Sequence, residues 1–251
     1  MTRDDSGELA HLPASFAIAW GVRTGAAKGP RRGLSLDRIV AAGVRVATEE
    51  GLDAVSMGRV ARELDTSAMS LYRYVAAKDE LLALMVDAAL GEVRAVAAED
   101  GWRPSLERWA WFALTAYRRH PWALEIPIKG PPITPNATAY LDQGLRCLTG
   151  TPLAPGEKLA VVLATTSYTR SWAMLRAEID ARPPDAPPLA EALTAYANTL
   201  RTLTTPRDFP ALHEILAANA FEENEDDPDW DFRFGLARLL DGCDTLIEQR
   251  G

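Results

Sequence analysis

Residues 34–82 of this 251-residue chain, LSLDRIVAAGVRVATEEGLDAVSMGRVARELDTSAMSLYRYVAAKDELL, constrain the fold more than any other stretch. Their apolar positions recur at helical spacing in short blocks divided by tight turns. Ser35 is an N-cap residue, Asp37 puts a negative charge in the first turn, and Ile39, Ala42, Gly43, Val46 and Ala47 line one face. Gly51 follows Glu49 and Glu50 as a C-terminal stop, and Ser56 caps a second helix with a stripe of Met57, Val60, Ala61 and Leu64. A one-turn link, residues 63–67, separates it from a third helix that starts at Ala68, with Leu71 and Val75 inward.

Two helices joined by so short a link form a helix-turn-helix unit, whose second helix enters the major groove of DNA. The spacing leaves Ala68, Met69, Ser70, Tyr72, Arg73 and Tyr74 for bases and phosphates, with Ser56, Arg59 and Ser67 at the adjoining helix starts. Lys78 opens a fourth helix, where it can reach a phosphate beside the groove. The unit is not basic overall: Arg38, Arg45, Arg59, Arg62, Arg73 and Lys78 face Asp37, Glu49, Glu50, Asp53, Glu63, Asp65, Asp79 and Glu80. Affinity for DNA must therefore come from where the cations stand. Upstream, Arg23, Lys28, Arg31 and Arg32 alternate with glycines and a proline. Residues 1–33 thus read as a flexible arm with a basic end, in which Arg31 and Arg32 can follow an adjacent minor groove. The apolar run of residues 16–20 is too short for a membrane span or a signal-peptide core, and either docks on the body or stays loose.

Taken together, Ile39, Ala42, Gly51, Val55, Ser56, Val60, Ala61, Leu64, Ser67, Leu71, Tyr72, Tyr74, Lys78 and Leu81 resemble the tetracycline-repressor (TetR) family of bacterial transcription regulators. The resemblance implies that Tyr72 and Lys78 hold phosphates. Three departures stand out. Asp65 occupies the usual turn-glycine position, and Asp tolerates left-handed backbone. Thr66 replaces a hydrophobic residue, and Gly58 and Met69 offer no side-chain hydrogen bond to a base edge.

The remainder, residues 81–251, reads as an all-α second domain, with helices over 78–100, 105–120, 136–149, 155–181, 188–204, 209–219 and 230–249 and proline-rich loops between. The long helix from 155 and the last helix carry apolar residues at helical spacing. Leu163, Met174, Phe234, Leu239, Cys243 and Leu246 suit a four-helix bundle between two copies, and a twofold dimer prefers a near-palindromic operator. His120–Pro121 and the late FGL at 234–236 resemble, more loosely, the regulatory domain of the tetracycline repressors. That likeness implies a pocket for a hydrophobic or aromatic small molecule, with Trp109, Phe112, His120, Tyr168, Trp172 and Arg176 as its expected lining. Tetracycline repressors hold a magnesium–drug chelate with a histidine and an acidic residue. Ile128 and Arg176 stand at those places here, so neither metal nor cofactor is expected.

Composition agrees with a specific regulator. A formal net charge of −8 argues against a general nucleic-acid coat protein. Cys147 and Cys243 lie far apart without metal-ligand spacing and suit a reducing cytoplasm, and no targeting segment is visible. The chain shows no nucleophile elbow and no glycine-rich phosphate loop, and His11, His120 and His213 are scattered, so an enzyme is not expected. The expected function is that of a DNA-binding repressor released by an inducer. The alternative is a dimeric small-molecule-binding protein without specific DNA recognition.

Overall fold

The computed structural model describes residues 12–22, 33–92, 101–183, 185–221 and 227–250, and every regular element among them is helical. Arg31 and Arg32 of the expected basic arm lie outside these residues. Helices α1 (Ala14–Ala19), α2 (Leu36–Glu50), α3 (Met57–Glu63), α4 (Ala68–Leu71) and α5 (Lys78–Leu90) build the N-terminal part. They are followed by α6 (Trp102–Arg119), α7 (Pro135–Cys147), α8 (Pro155–Asp180), α9 (Leu189–Leu203), α10 (Pro210–Ala217) and α11 (Trp230–Glu248). The chain divides into two compact units, one of residues 1–177 with 242–251 and one of residues 178–241.

In the first unit the caps form as the side chains dictate. Ser35 Oγ accepts the Arg38 N–H at 3.3 Å and Ser56 Oγ accepts the Arg59 N–H at 3.1 Å. Gly51 closes α2 at φ 86°, and Asp65 takes φ 51° in the turn between α3 and α4, the left-handed conformation expected of it. Ile39, Val46, Val55, Val60, Leu71, Val75, Leu81 and Met85 are buried at the centre of this head. At Gly43 a Cβ would lie 2.7 Å from Met85 Sδ, so the missing side chain is what lets α5 seat its methionine on α2.

Two expectations are corrected. Residues 12–22, placed by the sequence in the arm with an apolar run free to dock or to stay loose, are docked: α1 buries Ser15, Phe16 and Ala17, and Phe16 joins the head core. The reason is composition, since an apolar patch on a short helix gains more from packing than from water. The helix that opens at Lys78 ends at Leu90 instead of running towards residue 100, because Gly91 turns the chain at φ 73°.

The rest of this unit packs around α6, whose Leu106, Trp109, Ala110 and Leu114 are fully buried. Trp109 donates its indole N–H to Tyr140 O at 2.8 Å, stacks on the Tyr140 ring at 4.2 Å and lies directly over Gly144 of α7. The short 3₁₀ turn Pro121–Glu125 buries Trp122 and Ala123 against the head, and Trp122 Nε1 donates to Thr48 Oγ1 of α2 at 3.2 Å. Val161, Val162, Thr165, Thr169 and Ala173 form the buried face of α8. Arg103 and Arg250 pair with Asp244 and Glu157, tying the end of α11 to α6 and to the start of α8.

In the second unit, Arg201 of α9 donates to Leu216 O at 2.6 Å and Asn219 Oδ1 at 3.0 Å, which occupies carbonyl groups at the end of α10. Phe232, Leu236 and Leu240 repeat at i, i+4 and i+8 as the buried stripe of α11.

Candidate nucleic-acid interface and effector site

The helix-turn-helix surface is set by which side chains the head core claims. Leu71 and Val75 are fully buried, and this turns Met69 (75% exposed), Tyr72 (46% exposed) and Arg73 outward. Ser67 and Ser70 share a hydroxyl–hydroxyl hydrogen bond at 3.0 Å, while Ala68 is half-buried at the helix start. Lys78 begins α5 in solvent, and neither Arg73 nor Lys78 has an ion-pair partner among the described residues. A pair of uncommitted cations flanking an exposed tyrosine is an arrangement that can grip a phosphate backbone.

Two residues expected here, Tyr74 and Arg59, do other work. Tyr74 is buried and donates its hydroxyl to Leu34 O at 2.8 Å, so it ties the recognition corner to the start of the head and is withdrawn from the DNA-facing set. Arg59 pairs with Glu50 and with Glu63 at 3.0 Å. Hydrogen bonding to Glu50 raises its pKa, and the same contact lowers that of Glu50. Its charge is already compensated, and the pairs must open before it can reach a phosphate. Ser56 is exposed, and while its Oγ accepts the Arg59 N–H as the α3 cap its O–H is left to donate, so it stays in the DNA-facing set. Sequence spacing places Tyr74 and Arg59 on the helix-turn-helix unit and does not show which contacts they prefer.

Below the head, α5 is gripped by the helices that follow. The buried Asp87 carboxylate accepts the Ala137 N–H at 2.9 Å, and Asn136 Nδ2 donates to Asp87 O at 3.0 Å. A displacement at the start of α7 therefore acts on the helix that begins with Lys78.

The aromatic residues separate into core and lining. Trp109 is fully buried between Tyr140 and Gly144, so it is a core residue and not a pocket wall. Phe112 is half-buried with its ring 6.2 Å from that of Tyr140. His120 ends α6 with its ring edge-on to Trp122 at 5.7 Å and its buried Nδ1 without a hydrogen-bond partner. Tyr168, Trp172 and Arg176 are half-buried at i, i+4 and i+8 along one edge of the inward face of α8. Burial pushes up the hydroxyl pKa of Tyr117, and that of Tyr140 well above its ordinary range. Both phenols therefore stay protonated. Tyr140 and the threonines of α8 were not singled out from sequence. Thr165 and Thr169 spend their hydroxyls on Val161 O and Thr165 O, and threonines at i and i+4 among valines on a long helix were the available signal.

On the opposite side of α8, Leu163 is 54% exposed and Met174 half-buried, its sulfur 3.2 Å from an Arg170 nitrogen. On α11, the exposed Phe234 stacks on Trp230 at 5.0 Å beneath the Arg238 guanidinium, and Leu239, Cys243 and Leu246 are half-buried. No helix among the described residues is long and apolar enough to cross a membrane.

Comparison with known proteins places this geometry. Residues 39–85 match the family described as bacterial regulatory proteins, tetR family, and residues 95–247 match the tetracyclin repressor-like C-terminal domain. The HTH-type transcriptional repressor DrrR1 of Streptomyces coeruleorubidus is 34% identical, over 98% of this chain and 89% of its own. Among solved structures, the TetR family protein ActR of Streptomyces coelicolor in complex with actinorhodin is similar with a TM-score of 0.71 and 25% identity, over 86% of this chain and 96% of that one. ActR in complex with (S)-DNPA gives 0.69 and 26%, over 83% and 96%. With an exposed recognition corner over an aromatic helical body, and with both domains matched, the chain belongs to the TetR family of bacterial transcriptional regulators.

Proposed function

We propose that this protein is a cytoplasmic repressor that binds a near-palindromic operator as a homodimer and releases it when a hydrophobic or aromatic small molecule enters the helices below the head. The observation that carries the reading is the outward set of Met69, Tyr72, Arg73 and Lys78 over a core that holds Leu71 and Val75. Phosphate grip comes from Tyr72, Arg73 and Lys78. With Gly58 and Met69 on this surface, sequence choice rests on few side-chain hydrogen bonds and on the shape of the duplex. The effector lies against Phe112, His120, Tyr168, Trp172 and Arg176. The similarity to ActR, whose solved complexes contain actinorhodin and (S)-DNPA, supports a small-molecule effector.

The switch works through α5. A ligand that displaces α7 pulls on Asp87 and Asn136, shifts α5, and alters the separation of the two recognition helices in the dimer. The coupling is reciprocal, so operator DNA weakens effector binding by the factor with which effector weakens DNA binding. Leu163 and Met174 with Leu239, Cys243 and Leu246 supply the dimer faces of α8 and α11, while Phe234 stands on the other side of α11, stacked on Trp230.

The test is binding of the purified protein to tiled duplex fragments flanking its own gene, over a salt series and with excess unrelated duplex. Saturable, competitor-resistant binding to one near-palindromic fragment is expected. Weak binding to every fragment, lost uniformly as salt rises, would replace this reading with a ligand-binding dimer that lacks specific DNA recognition.

A further inference from the structure

Helix α1 precedes the helix-turn-helix unit and is six residues long, too short to be stable alone. It holds its shape through what it touches. At its start, Ser15 is 1% exposed and donates its hydroxyl to Glu80 Oε2 at 2.6 Å. The same oxygen accepts the Ala76 N–H at 3.2 Å. Ala76 lies in the short link between α4 and α5, after Tyr72 and just before Lys78, so one carboxylate oxygen fixes both the link and the helix laid against it. The arrangement is a variant of a capping box, in which an acidic side chain in the first turn reaches back to a free N–H.

At the other end of α1, Trp20 is 44% exposed, yet its one polar atom is used: Nε1 donates to Ile133 O at 2.8 Å. Ile133 belongs to the loop 126–134, which runs directly into α7. That loop also reaches α5 through Lys129 and Asp79 at 2.6 Å, a solvent-exposed contact of little strength by itself. Between the two ends, Phe16 is sunk into the head core and Ala17 is buried.

We propose that α1 is a brace coupling the loop 126–134 to the corner between α4 and α5, with Ser15 and Glu80 as positioning residues for Tyr72 and Lys78 and Trp20 as the tie to the loop. The proposal rests on the reading of Tyr72 and Lys78 as phosphate contacts. A movement of the loop carries Trp20 with it and turns α1. Ser15 then leaves Glu80, and the corner that presents Lys78 loses its fixed geometry. This path runs beside the one through Asp87 and acts on the opposite end of α5.

The experiment uses the full chain and a duplex that this protein itself selects from a random-sequence library. Ser15→Ala and Trp20→Phe change no charge, and Trp20→Phe, at a half-exposed site, keeps the ring while removing its donor. Each is expected to weaken binding by roughly three- to tenfold and to flatten the slope of log affinity against log salt by about one phosphate contact. A purely structural role for α1 would lower the melting temperature and leave that slope unchanged. The double variant is expected to be no weaker than the weaker single one, because both remove the same brace. Unchanged affinity and slope in both single variants, or losses that simply add, overturn the brace. Lys78→Ala in parallel separates the two failures. If it flattens the slope while Ser15→Ala does not, the brace alone falls. If it changes nothing, the phosphate reading falls and takes the brace with it.

Discussion

At Asp65 the backbone sits at φ 51°, where a Cβ is costly and a short polar side chain is the usual exception to glycine. Asp65→Gly is expected to be neutral or stabilising, and Asp65→Ala to cost about 1 kcal/mol, both read by chemical denaturation. Two glycines make a sharper contrast. A Cβ at Gly144 would lie 2.6 Å from the Trp109 ring, which is fully buried and cannot retreat, so Gly144→Ala should cost about 1–3 kcal/mol. A Cβ at Gly58 meets nothing within 4 Å, and Gly58→Ala should stabilise the exposed side of α3 by up to about 1 kcal/mol. At His120, burial, with a smaller effect of Arg119, holds the imidazole below its ordinary value of 6.5. As pH falls through 6.5 towards that lower value, the unfolded chain takes up the proton first and stability declines; above 6.5 this contribution is constant. His120→Gln should remove that part of the pH dependence, seen as a flatter difference between unfolding midpoints at about pH 7.5 and about pH 5.5.

Among the elements, the corner of α4 and α5 concentrates the available positive charge. Lys78→Ala is expected to weaken binding to specific and unrelated duplexes alike and to reduce the salt slope by about one, measured by fluorescence anisotropy over a salt series. Arg59→Ala should leave that slope nearly unchanged, because Glu50 and Glu63 already compensate the guanidinium. A full unit of slope lost on Arg59→Ala would mean that these pairs open on DNA. Helix α8 divides its work by face: Val161, Val162, Thr165, Thr169 and Ala173 are buried, while Leu159 and Leu163 are exposed on the other side. Apolar residues so placed are unsatisfied in a single chain.

For the whole molecule, that exposed face is the reason to expect a dimer. Leu163→Glu introduces a charge at a site 54% exposed, so the chain should still fold. Analytical ultracentrifugation should then show monomer, and operator affinity should fall sharply because two half-sites are no longer held by one particle. A dimer that survives Leu163→Glu would move the interface elsewhere.

The sequence by itself determined the helical class, the helix-turn-helix spacing and the buried stripes of α2 and α3. These depend on period, caps and turn residues, all local properties. It also determined that Asp65 could make the turn. Only the tertiary structure decided what each polar or aromatic side chain near those helices does. Tyr74 and Arg59 share their segment with Tyr72 and Arg73, yet one reaches Leu34 O and the other is enclosed by Glu50 and Glu63. Trp109 has the same chemistry as Trp172 and differs only in what packs over it. The apolar run 16–20 is visible in the sequence, but so short a pattern leaves open whether it docks or stays loose. The order of residues 12–22 comes from Glu80 and Ile133, distant in sequence and adjacent only once the chain has folded.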